Sequence, residues 1–302
     1  MTSLATTAKD SDPVDHEQYE AIEQIKMVAR ARKLRAARLL AERIQTAADG
    51  SRTFVRFGPA QRLEHQLLLV TFTGLAATGL LQHYSQATAV GLIINVLGGV
   101  DTLRIIHHVA AIVMILQCIY HVEQILVLWF VKRQLGAMWP GWRDVRDLVH
   151  MLRYNLGLAP QRPEFDRFSI EEKLEYWALL WGTPLMIVTG LVMWFPTLST
   201  MALPGDAVPV SRALHAWEAI LATLAILTWH MYHTVIKERN TSIFTGTMTE
   251  HEMQHSHPVE YRRIVAAYDY LQRMVTGKTG SAHTDLSKEV RHQEAASLRQ
   301  AN

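Results

Sequence analysis

The sequence predicts an all-α integral membrane protein, a bundle of four transmembrane helices with helical cytoplasmic extensions at both ends. Three observations lead to this prediction: four long apolar stretches, the lack of Lys and Arg within them, and an intermediate composition. Of the 302 residues, 49% are hydrophobic and 19% are charged, and the mean hydropathy is +0.04. Four spans of about 20 residues would occupy roughly a quarter of the chain, and the polar remainder would bring the mean back towards zero.

Each apolar stretch is long enough to cross the hydrocarbon core of a bilayer as a helix. About 20 residues at 1.5 Å per residue span about 30 Å, and a helix satisfies its own backbone polar groups in lipid. The predicted spans are residues 63–84, 105–131, 176–195 and 213–236.

The positions of Lys and Arg predict the orientation of these spans. Eleven of the 30 precede the first span, eight lie between the second and third, and nine follow the fourth. The other two connections carry one each, Arg104 and Arg212. By the positive-inside rule both termini and the central loop are cytoplasmic. The chain is therefore predicted to cross a membrane several times.

Three regions are expected along the chain. Residues 1–56 form a charged cytoplasmic helical extension, residues 57–240 the membrane domain, and residues 241–302 a cytoplasmic tail with a helix near 259–275. The first 50 residues lack the apolar core of a signal peptide. Three histidines of the tail, His251, His255 and His257, are expected in a solvated turn rather than at a metal site.

A weak internal duplication indicates two pairs of helices. The first and third spans each contain Thr-Gly-Leu, at residues 78–80 and 189–191, and the second and fourth each contain well-separated histidines. Glycines in spans permit close helix packing and would also let a flat macrocycle lie against the backbone.

Histidines inside the predicted spans are the main functional signal, because an imidazole without a partner is costly in lipid. His107 and His121 are 14 residues apart, about 21 Å along the helix and within about 40° of one face. His215 and His230 are 15 apart, about 22 Å and about 60°. The orientation makes His107 and His215 an outer layer and His121 and His230 an inner layer, with His65 also on the inner side.

Two layers of facing imidazoles are what two b-type haems stacked across a membrane require, each iron taking one nitrogen from each of two helices. Cys118 is the only cysteine, which excludes the Cys-x-x-Cys-His attachment of a c-type haem. Arg104 and Arg212 come three residues before His107 and His215, where a guanidinium could pair with a haem propionate or anchor the helix at the membrane surface.

A series of short motifs runs through roughly residues 57–261. They are Arg62-Leu63-Glu64-His65, Thr78-Gly79-Leu80, Arg104-Ile105-Ile106-His107, Glu175-Tyr176-Trp177, Thr189-Gly190-Leu191, Trp194, Leu214-His215, His230-Met231-Tyr232 and His257-Pro258-Val259-Glu260-Tyr261. In this order they resemble the membrane-embedded cytochrome b, or gamma, subunits of respiratory formate dehydrogenases and the related b-type subunits of membrane-bound hydrogenases.

The resemblance implies ligands for two haems b. His107 and His215 correspond to the outer pair, and His65 and His230 to the inner pair. The chain departs from the family in two ways. Its fourth-helix pair is one residue further apart than the usual 14, which implies a local adjustment of the helix or a contribution from His233. His121 has no counterpart, and it stays an alternative inner ligand or a quinone-site residue.

The resemblance further implies an electron-transfer subunit that anchors a respiratory complex in the bacterial inner membrane. Electrons would pass between a peripheral redox subunit, an iron–sulfur or cytochrome protein, and the quinone pool, menaquinone or ubiquinone. Fuel oxidation would belong to the partner subunits, and no nucleic acid is expected among the partners. Candidate proton-handling groups are Glu64, Glu123 and the unligated histidines, and Glu218 is a candidate partner for His215 or a haem propionate.

Two alternatives stay open at this point. One is a quinol-oxidising cytochrome b that feeds an external multihaem acceptor. The other is a haem-free membrane scaffold or transporter that carries histidines.

Overall fold

The computed structural model describes residues 13–133 and 136–276, and these are mostly helical. The beginning of the predicted N-terminal extension, residues 1–12, and the end of the predicted tail, residues 277–302, lie outside the described residues.

The chain divides into two compact units. One consists of Met1–Arg52 together with Glu260–Asn302, and the other of Thr53–Val259. All the candidate ligands belong to the second unit. The predicted division into a membrane domain and two cytoplasmic extensions concerns location in the cell and stays a prediction.

The described residues form helices and three short strands. The helices are α1 (Pro13–Ala41), α2 (Pro59–His83), α3 (Thr88–Val96), α4 (Gly99–Leu126), α5 (Trp142–Asn155), α6 (Ile170–Trp194), α7 (Pro196–Ala202), α8 (Ala207–Ala225), α9 (Ser242–Thr245), α10 (Glu250–Ser256) and α11 (Pro258–Val275). The strands are β1 (Ile44–Thr46), β2 (Arg52–Val55) and β3 (Thr247–Thr249). Segments of π-helix prolong two helices: Val127–Val131 continues α4, and Ile226–His230 and Tyr232–Lys237 continue α8.

Helices stand at all four predicted spans. Three of them are long and apolar enough to cross a membrane, Gly99–Val131, Ile170–Trp194 and Ala207–Lys237. Helix α2 has 25 residues, but the polar side chains of its first turns, Arg62 and Glu64 among them, lower its mean hydropathy. The structure therefore confirms a mostly helical membrane protein, and the fourth crossing stays a prediction.

The apolar helices leave most of their side chains uncovered by protein. In the most apolar 18-residue stretch of each helix, the share that is buried is 6% in Gly99–Val131, 6% in Ile170–Trp194 and 0% in Ala207–Lys237. Continuous apolar surface of this extent is unusual on a soluble protein, whereas lipid covers it in a membrane.

The long helices pack in pairs. Helix α2 lies along α4 and α6 lies along α8, with further contacts between α2 and α8. Buried residues on these helices include small polar ones, Thr71, Thr78, Thr189 and Ser211. Small side chains let helix backbones approach closely. The pairing agrees with the two helix pairs that the internal duplication indicated.

A capping box fixes the start of α6. The Ser169 hydroxyl accepts a hydrogen bond from the Glu172 backbone N–H (3.2 Å), and the Glu172 carboxylate accepts one from the Ser169 N–H (2.7 Å). This reciprocal pair satisfies two backbone donors that the helix leaves free. Ser169 therefore sets the point at which the chain enters the third apolar helix.

A small sheet departs from the all-α expectation. Strands β2 and β3 pair antiparallel, with Thr53 opposite Thr249 and Phe54 opposite Met248. Both Phe54 and Met248 are buried. Strands of three or four residues are too short to produce a recognisable alternation in the sequence.

Candidate functional site

The two histidines predicted as the outer pair face each other between α4 and α8. The ring centroids of His107 and His215 are 6.4 Å apart, and the ring planes are inclined by 63°. The Nδ1 atoms of these rings lie 2.9 Å from Thr78 Oγ1 and 3.0 Å from Thr189 Oγ1, respectively. Helices α2 and α6 thus each supply one threonine to an imidazole on a neighbouring helix.

The threonine hydroxyls fix which ring nitrogen carries the proton. Thr78 donates its hydroxyl proton to the Gly74 carbonyl (2.6 Å), and Thr189 donates to the Leu185 carbonyl (2.7 Å). A hydroxyl has only one proton, so its oxygen accepts the bond from the Nδ1–H of the imidazole. The Nε2 atom then carries the free lone pair, which is the form of histidine that ligates a metal.

Each of these threonines is followed by a glycine that makes room for the imidazole. A Cβ added at Gly79 would lie 3.2 Å from His107 Cε1, and one added at Gly190 would lie 3.3 Å from His215 Cε1. Both distances are shorter than an ordinary van der Waals contact. The repeated Thr-Gly pair therefore has one local function in both spans: the threonine orients the ring and the glycine leaves space for it.

The histidines that the resemblance predicts as the inner pair also face each other. The ring centroids of His65, on α2, and His230, at the end of a π-helical segment, are 6.3 Å apart, with an interplanar angle of 34°. His230 Nδ1 lies 2.7 Å from Glu175 Oε2. Because a carboxylate only accepts hydrogen bonds, Nδ1 is the protonated nitrogen and Nε2 is free. The Nδ1 atom of His65 is buried and has no hydrogen-bond partner among the described residues.

His121, the alternative inner ligand, has partners for both of its ring nitrogens. Its Nδ1 lies 2.9 Å from Glu64 Oε2 and its Nε2 lies 3.0 Å from the Tyr176 hydroxyl. Gln117 donates to the backbone carbonyl of Glu64 (2.6 Å). The side chains of Glu64, His121 and Tyr176 thus form a hydrogen-bonded chain from α2 through α4 to α6.

The spacing of both facing pairs suits a metal ion held between two imidazoles. A metal–nitrogen distance of about 2 Å, with the ring centre about 1.1 Å behind the nitrogen, separates two coaxial rings by about 6.2 Å. The observed separations are 6.4 Å for His107 and His215 and 6.3 Å for His65 and His230. These separations fit two pairs of imidazoles that would each hold the iron of a b-type haem.

A π-helical turn accommodates the extra residue between His215 and His230. In a regular α-helix, 15 residues would leave the two side chains about 60° apart around the axis. The segment Ile226–His230 is π-helical, and such a turn takes up an additional residue. The local adjustment of the helix is therefore present. His233 instead bonds through Nδ1 to the Trp229 carbonyl (2.9 Å).

The arginines near the outer pair lie at the surface of the described residues. Arg104 donates to Asp101 (2.8 Å), and its side chain is more than half exposed. Arg212 is exposed as well. Their role at haem propionates stays a prediction.

Two other polar side chains near the outer pair, His108 and Glu218, contact residues outside that pair. His108 stacks on Trp194, with ring centroids 3.9 Å apart. Glu218 lies against Gly182, where an added Cβ would be 2.8 Å from Oε1. Thr189, rather than Glu218, is the hydrogen-bond partner of His215 Nδ1.

A cleft opens beside the carboxylate that holds His230. It has an empty volume of about 490 Å³, and its lining includes Glu175, His233, Arg162 and Glu238. Arg162 donates to Glu238 (3.1 Å). Burial acts to raise the pKa of Glu238, but the hydrogen bond and positive charge of Arg162, together with the charge of Lys237 and a hydrogen bond with Ser256, hold that pKa below its usual value. Glu175 therefore borders a cleft that is lined partly by charged side chains.

The expectation of a solvated turn for the tail histidines is only partly correct. His251 and His255 are exposed, but they lie in helix α10 rather than in a turn. His257 is only 3% exposed, and its Nδ1 donates to the Asp166 carbonyl (2.8 Å). The imidazole therefore belongs to the packing of the chain just before α11 and not to a solvated turn.

Comparison with known proteins agrees with the predicted resemblance. The sequence profile of the family described as prokaryotic cytochrome b561 matches residues 142–246. The chain is 22% identical over 216 residues to the cytochrome b556(fdo) subunit of formate dehydrogenase from Escherichia coli K12, covering 70% of this chain and 93% of the relative. The same figures hold for the corresponding subunits of E. coli O6:H1 and O157:H7. The resemblance is thereby confirmed.

Proposed function

We propose that this chain is a membrane electron-transfer cytochrome b subunit, similar to those of formate dehydrogenase and hydrogenase. In this proposal it carries two haems b and connects a redox partner to the quinone pool. The family implies b-type haem and association with redox subunits. The number of haems, the quinone and the orientation in the membrane are our proposal.

The observation that carries this proposal is the presence of two facing histidine pairs on membrane helices. His107 would hold one iron with His215, and His65 would hold the other with His230. Support comes from the ring separations of 6.4 and 6.3 Å and from the Nδ1 partners that leave Nε2 free in three of the four imidazoles. When bound, a haem supplies a one-electron carrier whose potential the axial ligands tune.

The protein's own contribution to this arrangement is to orient the ligating imidazoles and the haem propionates. Thr78 and Thr189 hold the outer imidazoles by accepting a hydrogen bond from Nδ1–H, and Glu175 does the same for His230. Arg104 and Arg212 are proposed to pair with haem propionates near the outer surface.

We further propose that α2 crosses the membrane as the first of four spans, with both termini in the cytoplasm. The distribution of Lys and Arg supports this orientation. A ligand contributed by His65 would also require α2 to stand in the bundle beside α8, and these two helices are in contact.

His121 is proposed as a quinone-site residue. It lies between the Glu64 carboxylate and the Tyr176 hydroxyl. Ionisable side chains in membrane helices cost free energy, and those that are present usually have a function. Its ring can take a proton on one nitrogen while releasing one from the other. Together, Glu64, His121 and Tyr176 would form hydrogen bonds with the head group of menaquinone or ubiquinone and exchange protons with it.

The proposed partner is an iron–sulfur or cytochrome protein that exchanges electrons at the outer pair. Oxidation of the fuel would take place in partner subunits. The same residues would serve the reverse direction, in which quinol is oxidised and an external multihaem protein is reduced.

Haem content tests the proposal directly. The full chain is purified in lipid nanodiscs, and its reduced-minus-oxidised spectrum and pyridine haemochrome are recorded. We expect b-type bands and two haems per chain, reducible by a quinol analogue. His108→Ala, which removes a histidine adjacent to His107 in the sequence, serves as the control and should keep both. One haem per chain would contradict the two-haem proposal. Absence of haem from the purified chain would contradict the cytochrome proposal and favour a scaffold or transporter.

A further inference from the structure

Helix α5, in the connection between the second and third apolar helices, carries an exposed apolar stripe. Five apolar residues recur every three or four positions and so fall within an arc of about 80° on one side of the helix. They are Trp142, Val145, Val149, Leu152 and Leu156. Each is at least 48% exposed, and Trp142 is 82% exposed.

The opposite side of α5 is already packed on the same compact unit. Met151 is buried in a cluster with Phe165 and Ile170. Asp144, also buried, forms an ion pair with Lys173 on α6 (2.7 Å). These contacts hold the helix in place, and the stripe faces away from them.

Basic residues border the stripe along one flank. At 100° per residue, Arg146, His150 and Arg153 follow the apolar arc within about the next 80°. All three are exposed. An apolar face with arginines at its edge is the pattern of a helix that lies in a membrane surface.

Tryptophans place α5 near the end of the apolar helices. The rings of Trp129 and Trp139 are 4.9 Å apart, and those of Trp139 and Trp177 are 5.3 Å apart. Trp177 also donates to the Met138 carbonyl (2.9 Å). Tryptophan concentrates at the membrane–water interface, and α5 begins three residues after Trp139.

We propose that α5 is an interfacial helix, whose stripe lies among the acyl chains of one leaflet and whose Arg146 and Arg153 contact anionic lipid head groups. The proposal rests on the membrane location of the chain and not on its haems. With the proposed orientation, the leaflet is the cytoplasmic one, where anionic lipids attract basic segments.

Spin labels on single cysteines test this assignment in the full chain. Cys118, the only cysteine, is first replaced by serine. A nitroxide is then attached at Val149→Cys or Leu152→Cys on the stripe, and at His150→Cys as the matched position on the basic flank. The variants are placed in nanodiscs containing phosphatidylglycerol. A far-ultraviolet circular dichroism spectrum and a gel-filtration profile equal to those of the parent chain show that each variant is folded, independently of its haem content and of the outcome for α5.

We expect the labels at 149 and 152 to be relaxed several-fold more by oxygen than by a water-soluble nickel chelate, and the label at 150 to show the reverse. Access of the nickel chelate to 149 and 152 would overturn the proposal, because the stripe would face water. Shielding of both labels from both reagents would overturn it as well, because a second chain or a partner subunit would then cover the stripe.

The head-group contact has a separate test. Arg146→Gln combined with Arg153→Gln, or replacement of phosphatidylglycerol by phosphatidylcholine, should raise the access of the nickel chelate to position 149. Unchanged access in both experiments would overturn the role of the arginines. If the serine background does not fold, quenching of Trp142 by brominated lipids gives the same information, taken as the difference between the natural chain and Trp142→Phe.

Discussion

At the scale of single residues, the two histidine pairs differ in what holds their Nδ1 atoms. The outer imidazoles donate to neutral hydroxyls, whereas His230 of the inner pair donates to the Glu175 carboxylate at 2.7 Å. A carboxylate acceptor makes an imidazole a more basic ligand and stabilises oxidised iron. In the proposed site this contact would lower the potential of the inner haem.

Glu175→Gln tests this effect. The amide can still accept the Nδ1–H bond but carries no charge, so we expect the midpoint potential of the inner haem to rise and that of the outer haem to stay unchanged. A spectroscopic redox titration of the purified chain measures both. Glu123→Gln is the control, since Glu123 is an exposed carboxylate on the neighbouring helix α4. Equal potentials in Glu175→Gln and the natural chain would contradict the assignment.

Gly79→Ala tests whether the space beside His107 is needed. The new Cβ would meet the imidazole at 3.2 Å, so the ring must shift. Disturbing the support of a metal ligand typically weakens metal binding by about 10–100-fold, and we expect a loss of this order for the outer haem. Measurement of haem retention during dilution checks this result.

The matched control is Gly74→Ala, on the same helix with no atom within 4 Å of the added Cβ. Because alanine is favoured over glycine in a helix by about 1 kcal/mol, this variant should bind haem normally. Equal retention by Gly79→Ala and Gly74→Ala would show that the close approach has no function.

The sequence predicted the histidines of the site better than it predicted their partners. His107 and His215 were paired from spacing and charge, because periodicity along a helix is a local property. The threonine contacts join residues 29 and 26 positions apart on different helices, and depend on how the helices pack. The repeated Thr-Gly pairs were the only local signal of them. Spacing alone also favoured His121, whose partners Glu64 and Tyr176 lie on two other helices.

At the scale of elements, the main feature is the π-helical turn in the fourth apolar helix. It lets a helix whose two histidines are 15 positions apart present both to neighbouring imidazoles, where a regular helix would turn them about 60° apart. The departure from the family spacing implied either a local adjustment of this helix or a contribution from His233. It did not indicate a π-helical turn, because such a turn has no strong composition signal.

Deletion of Leu227 tests the function of this turn. With the histidines 14 positions apart, a regular α-helix keeps both within about 40° of one face, so we expect both haems to be retained. Insertion of one alanine after Leu221 is the matched change, because it should rotate His230 by about 100° and lose the inner haem. The haem-to-protein ratio distinguishes the two, and loss of haem from the deletion alone would contradict the account.

The shorter elements were not predicted. Helices α3 and α7 fill the two connections on the proposed outer side, and β2 pairs with β3 across almost 200 residues. Elements of three to nine residues carry too little periodicity to be recognised, and strand pairs so distant in sequence depend on the fold.

At the scale of the whole molecule, orientation in the membrane decides which histidine pair faces the redox partner. The uneven distribution of Lys and Arg is the basis for the proposed orientation, and the four helices in the structure are compatible with it.

Cysteine accessibility in intact cells tests this orientation. In a Cys118→Ser background, Val96→Cys and Leu158→Cys place thiols at sites that are 87% and 65% exposed. We expect an impermeant maleimide to label position 96 in intact cells, and position 158 only after the cells are broken. The opposite pattern would reverse the roles of the outer and inner pairs.

The central claim is that two histidine pairs each hold one haem, with His65 rather than His121 completing the inner pair. The most direct measurement is the number of haems b per chain in His65→Ala and His121→Ala, purified side by side with the natural chain. We predict two in the natural chain, one in His65→Ala and two in His121→Ala. One haem in His121→Ala together with two in His65→Ala would contradict the account.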